Sequence, residues 1–181
     1  MKFLLLLVIA IALVVGPMAM LRPNPEQRRR EQLRLAARDL GLRFAMRHLP
    51  RLKTDLEDSP AIPCYYLPPP ESCIPESNWI LMRTSYAHEG NFYQEWDWIG
   101  DGRPASAVAD WLKEQMTTVP VSFKAIASGM AGTSVYWTEK GVAKTPEEQA
   151  ASLQYLHQLL VGVQANEKAA LSSPKQASRP G

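Results

Sequence analysis

The sequence predicts an α+β fold: an N-terminal transmembrane helix, then an antiparallel sheet of about five to six strands with helices packed on one face. Three observations predict it. The unbroken apolar run from Phe3 to Leu21 has the length of a helix that crosses a bilayer core. Beyond Gly41, short segments of strand periodicity fall in pairs between turn signals, without the β-α-β alternation of a doubly wound sheet. Three stretches of helical periodicity, each with its own start or stop signal, lie before, between and after the strands.

The apolar run holds no charge, and twelve of its residues are Leu, Ile, Val or Phe. At roughly −0.3 to −0.6 kcal/mol each they favour insertion by about 4–7 kcal/mol, before Gly16 and Pro17 subtract from it. A cleaved signal peptide also opens with Met-Lys and an apolar stretch. Here a cut after Ala19 or Gly16 puts Pro17 beside the scissile bond or in the small-residue position before it, so a retained anchor is expected. Lys2 alone precedes the span, whereas Arg22, Arg28, Arg29, Arg30, Arg34 and Arg38 follow it. The positive-inside rule then places the N-terminus outside and everything after Arg22 in the cytoplasm. These arginines form the expected membrane-proximal basic site, and the lipid bilayer is the first expected partner.

A net charge of +2 conceals an asymmetry. Residues 1–41 carry seven basic and three acidic side chains, whereas 42–163 carry ten basic and fourteen acidic. An acidic body excludes a nucleic-acid surface, which concentrates Lys and Arg on the folded domain. Cys64 and Cys73 stand at no zinc-ligand spacing and the three histidines are scattered. No metal and no cofactor is expected.

Pro25 starts a helix that ends at Gly41, a residue suited to the left-handed cap. Leu33, Ala36, Ala37 and Leu40 form its apolar stripe; Arg30, Arg34 and Arg38 form a second, readable as lipid-facing or as an ordinary solvated face. Leu42 to His48 alternates as a strand. The Pro-rich stretch 50–77 reads as a loop around one strand, Ile62 to Leu67. Asn78 to Tyr86 and Phe92 to Ile99 read as a hairpin. On its second strand Phe92, Trp96 and Trp98 share one face, while Glu95 and Asp97 share the other as a candidate carboxylate pair. Alternating Trp and acid is equally the pattern of a half-buried strand.

Pro104 opens a second helix with Ala105, Val108, Ala109, Leu112 and Met116 on its buried stripe. Val121 to Ala127 and Thr133 to Glu139 pair around Ser128-Gly129-Met130-Ala131-Gly132. That loop lacks the following helix and the Lys-Ser or Lys-Thr of a phosphate cradle, which makes it a hairpin tip. Thr145-Pro146-Glu147-Glu148 is a capping box opening the last helix, with Ala150, Leu153, Leu156, Leu160 and Val163 buried and His157 at the margin. From Gln164 the composition predicts a disordered tail. The expected domains are an anchor (1–21), a basic juxtamembrane helix (22–41), a cytoplasmic α+β domain (42–163) and the tail (164–181).

Leu21-Arg22-Pro23 followed by Gln27-Arg28-Arg29-Arg30-Glu31 resembles the membrane exit of the YajC family, single-span accessory subunits of the bacterial Sec preprotein translocase. The resemblance covers about thirty residues. It implies a bacterial inner-membrane location, a single pass and a part in protein transport. The Lys-Gly-Asp motif and Gly-Gly turn of that family's β-domain are absent. The body is similar to uncharacterised proteobacterial single-span proteins through Leu40-Gly41-Leu42 and Tyr136-Trp137-Thr138-Glu139-Lys140-Gly141.

Three functions are therefore weighed: a membrane-anchored, non-catalytic interaction domain with a membrane-protein partner; a translocase accessory subunit; and a membrane-bound enzyme using Glu95, Asp97, Glu139 or Cys64. The first is the expectation, since no convergent set of polar groups is legible.

Overall fold

The computed structural model describes residues 3–4, 24–52, 59–70, 78–84, 87, 89–139 and 145–172. The chain divides into two compact units, residues 1–32 and 33–181. Helix α1 is Pro25–Asp39, α2 is Ser106–Gln115 and α3 is Pro146–Ser172. The strands are β1 (Arg43–Arg47), β2 (Ile62–Leu67), β3 (Trp79–Arg83), β4 (Trp96–Ile99), β5 (Phe123–Gly129) and β6 (Gly132–Trp137).

The membrane-spanning helix requires a correction. Among the described residues no helix is long and apolar enough to cross a membrane. Helix α1 carries five arginines, Arg28, Arg29, Arg30, Arg34 and Arg38, together with Glu26, Glu31 and Asp39, in fifteen residues. Helix α3 has the length, about 40 Å at 1.5 Å per residue, but carries Glu147, Glu148, Glu167 and Lys168. Apart from Phe3 and Leu4, the expected anchor lies outside the described residues. The described residues form an α+β fold with no transmembrane helix among them, and the single-pass membrane expectation has no described element behind it.

The six strands form one antiparallel sheet in the order β1-β2-β6-β5-β3-β4. Its register lays one continuous row across all six strands: Phe44, Tyr65, Val135, Ile126, Leu81 and Trp98. This row faces the main core, where Leu33, Val108, Leu112, Leu153, Leu156 and Leu160 close over it from the helices. The adjacent row, Ala45, Cys64, Tyr136, Ala125, Met82 and Asp97, faces the opposite way. There Cys64, Met82, Ala125 and Tyr136 form a second, smaller cluster that Leu49 and Leu52 help to cover. The period of two explains the split, because successive side chains of a strand leave on opposite faces.

Local chemistry sets the element ends. Asn24 caps α1: its Oδ1 accepts the Glu26 amide at 3.1 Å, so Pro25 occupies the first helical position without wasting a donor. At the other end Leu42 N donates to Ala37 O and Gly41 N to Arg38 O, with Gly41 at φ +78°. That is the paired closure that only a left-handed residue allows. The α3 capping box is reciprocal: Thr145 N reaches Glu148 Oε2 and Glu148 N reaches Thr145 Oγ1, each at 3.3 Å.

Three details depart from expectation. Ala36 and Leu40 are exposed, so the buried stripe of α1 is Leu33 and Ala37. The hairpin partner of β3 begins only at Trp96, because Gln94 adopts φ +48° and the Tyr93 and Trp96 backbones bond each other across a tight turn. The disordered tail does not start at Gln164: α3 continues to Ser172, and residues 173–181 lie outside the described residues.

Candidate functional site

The arginines of the predicted basic site do not act as one group. Arg22 lies outside the described residues, and Arg28, Arg29, Arg30 and Arg38 are exposed. Arg30 meets Glu26 one turn earlier at 3.7 Å. Arg34 breaks the stripe, because it points into the fold. Its Nε and Nη2 donate to Glu139 Oε1 and Oε2 at 3.2 and 2.9 Å, a two-pronged bond to a carboxylate only 2% exposed. Tyr65 adds a third donor, its hydroxyl 2.5 Å from Oε1. The guanidinium lies 4.2 Å over the Phe44 ring, a cation–π contact that guanidinium planes favour.

Glu139 reaches this place because its backbone turns left-handed, at φ +51°, just after β6 ends. Three donors fill most of the carboxylate's roughly four acceptor sites, and its burial closes it to solvent. Burial first, and then the carboxylate beside it, push the Tyr65 hydroxyl well above the ordinary tyrosine range. Tyr65 therefore stays protonated and donates.

The two members of the candidate carboxylate pair, Glu95 and Asp97, are each bonded elsewhere in the fold. Glu95 accepts from Arg83 Nη1, and Arg83 lies 4.7 Å over the Trp96 ring while donating to the Phe123 carbonyl at 3.3 Å. Asp97 stands in register with Met82 on the opposite face, and its Oδ1 takes the Trp98 amide at 2.8 Å. Cys64 is fully buried, and burial raises its thiol pKa; Cys73 lies outside the described residues. His48 spends Nδ1 on the Ser59 carbonyl at 2.7 Å. Among the described residues no three His, Cys, Asp or Glu side chains gather as a metal site would require. Trp79, Trp96 and Trp137 are buried and Trp98 and Trp111 half-buried, so none of the five tryptophans stands free in solvent.

One polar group escaped the sequence reading. Glu167 on α3 is buried and accepts from Trp79 Nε1 and Ser128 Oγ, both at 3.0 Å. Burial raises its pKa, opposed by those two bonds, and among the described residues no cation pairs with it. It sits above the sheet row Trp79, Ser128, Thr133 and Leu67. The Thr133 hydroxyl in that row is buried without a partner among the described residues. Gln164, one turn earlier, donates to the Leu67 and Pro68 carbonyls at 3.1 and 2.9 Å. Pro69, Pro70 and Gly132 complete a cleft of about 180 Å³ counting its open mouth, whose interior is narrower than a water molecule. The signal was present in the sequence: Leu153, Leu156, Leu160, Val163 and Glu167 follow the helical spacing of three and four, and the last member is charged.

The sheet ends in two unlike edges. Edge strand β4 has four residues, a tight turn before it and a side-chain cap on the Trp98 amide. Edge strand β1 has five residues and pairs only with β2; no other described residue bonds its outer backbone. Arg43 and Arg47 leave it on the same face as Ala45, whereas Phe44 and Met46 leave on the other, with Met46 52% exposed. The chain matches no protein-family model, no curated protein and no solved structure.

Proposed function

We propose that this chain works by contact rather than by chemistry, as a non-catalytic interaction domain serving as an accessory to a protein assembly. One observation carries the reading. The four groups that the sequence offers for acid–base or nucleophilic work lie among the described residues and are each committed to the fold: Glu95 to Arg83, Glu139 to Arg34 and Tyr65, Asp97 to a backbone amide, and Cys64 to the core. Active sites instead converge such groups on a cleft that substrate can enter. The cleft at Glu167 is too narrow for that.

The test is affinity purification of the tagged full-length chain from its native cells, with mass spectrometry of what comes with it. A stable partner is expected, and Sec channel subunits among the recovered proteins would assign the assembly to protein transport. Asp97→Asn and Cys64→Ser variants that remain folded are expected to keep both the partner and cellular function. Complete loss of function from either, in a folded protein, would overturn the reading in favour of an enzyme.

A further inference from the structure

We infer that β1 is the docking edge, and that its partner is an acidic extended segment of another protein, which joins the sheet as a seventh strand beside Arg43–Arg47. The inference rests on the contact reading above and names the surface and the chemistry of the partner. An edge strand presents a row of backbone donors and acceptors that can template another chain. Of the two edges, β4 is short, turned and capped, whereas no described residue other than those of β2 bonds the backbone of β1 along its five residues.

Charge selects the occupant. Arg43 and Arg47 stand four positions apart on one face, about 13 Å at 3.3 Å per residue. A strand laid alongside would set two of its own residues, four apart, against them. Acidic residues there are attracted, and like charges directly opposite are repelled. The same charges disfavour a second copy of the chain: centred antiparallel pairing of two β1 strands would face Arg43 with Arg47 of the other molecule twice over. Between the arginines Ala45 leaves room for a small residue. On the reverse face Phe44 and Met46 offer apolar contact to the two alternate positions. The segment that fits is therefore acidic, apolar, small, apolar, acidic, and its symmetry suits either strand direction.

The test uses the full-length chain and a fluorescent peptide with the core Glu-Val-Ala-Val-Glu. Binding by anisotropy at low salt is expected, at least tenfold tighter than for Lys-Val-Ala-Val-Lys and weakening as salt rises. Methylating alternate peptide nitrogens should abolish binding for one set and spare it for the other, because only one set faces β1. Arg43→Glu/Arg47→Glu should invert the preference towards the basic peptide. Arg47 also lies over the Tyr66 ring at 5.1 Å, so Arg43→Glu alone, at an exposed site, provides a second variant, expected to lose several-fold. Absence of binding, equal binding by both methylated sets, unchanged preference in the charge-reversed protein, or self-association through β1 would each overturn the inference. None of these outcomes bears on the Asp97 and Cys64 variants, which test the contact reading separately.

Discussion

Arg34 and Glu139, 105 positions apart in the chain, close on each other through two parallel hydrogen bonds and tie the C-terminal half of α1 to the end of β6. The Glu139 side chain is almost wholly buried, whereas the Arg34 side chain keeps a third of its surface in water. The two deletions are therefore unequal. Removing Arg34 strands a charge in the interior; removing the charge of Glu139 leaves an arginine that solvent can still reach. Arg34→Gln is expected to cost about 2–3 kcal/mol once solvent screening is allowed for, and Glu139→Gln less. Urea unfolding of both variants gives the order, and the reverse order would contradict this account.

That pair also shows where sequence reading stops. Capping signals were legible because their partners lie within three residues: Thr145 with Glu148, and Pro25 and Gly41 at the ends of α1. Strand positions were legible from alternation, and two of the five pairings, the hairpins β3–β4 and β5–β6, were legible from the turns between them; β2–β6 and β3–β5 join strands far apart in the chain and are set by tertiary packing. Arg34 read as one more member of a basic stripe, because nothing local distinguishes it from Arg30 or Arg38. Its partner is fixed only by tertiary packing. Glu167 was missed for the opposite reason, since a charge at a stripe position looked like the stripe's end. The late start of β4 was illegible because it turns on a left-handed Gln94, a conformation that composition does not signal.

Glu167 should leave a mark on the pH dependence of stability. Burial raises its folded pKa above the unfolded value. The native state then holds the proton more tightly than the unfolded chain does. The stabilising contribution is present below the unfolded pKa and is lost as pH rises through the raised folded pKa. Gln at this site keeps an acceptor for Trp79 and carries no charge. Thermal melts of wild type and Glu167→Gln at pH 5 and pH 8 should therefore diverge, with the variant gaining relative stability at the higher pH. Parallel profiles would mean that the carboxylate is solvated in the native state.

Two glycines offer a controlled comparison. Gly41 sits at φ +78° with open space where a Cβ would be. Gly132 sits at φ +104°, and a Cβ there would collide with the Leu67 carbonyl. Gly41→Ala thus meets backbone strain alone, about 1–2 kcal/mol. Gly132→Ala adds a steric clash at the β2–β6 contact, for about 2–5 kcal/mol together. Denaturant midpoints should separate the pair clearly, and equal losses would show that the Leu67–Pro68 segment yields without cost.

Cys64 links the fold to the choice between contact and catalysis. Its neighbours in the register are Ala45 and Tyr136, it is fully buried, and burial lifts its thiol pKa. A thiol in that state has little thiolate and no access for an electrophile. In a Cys73→Ser background, a thiol reagent such as DTNB should leave the native protein unmodified and react only as denaturant unfolds it. The midpoint of labelling should coincide with loss of the tryptophan fluorescence signal, because Cys64 is released only when the sheet opens. Rapid stoichiometric labelling under native conditions would show instead that this face of the sheet opens readily, and would return Cys64 to the list of reactive groups.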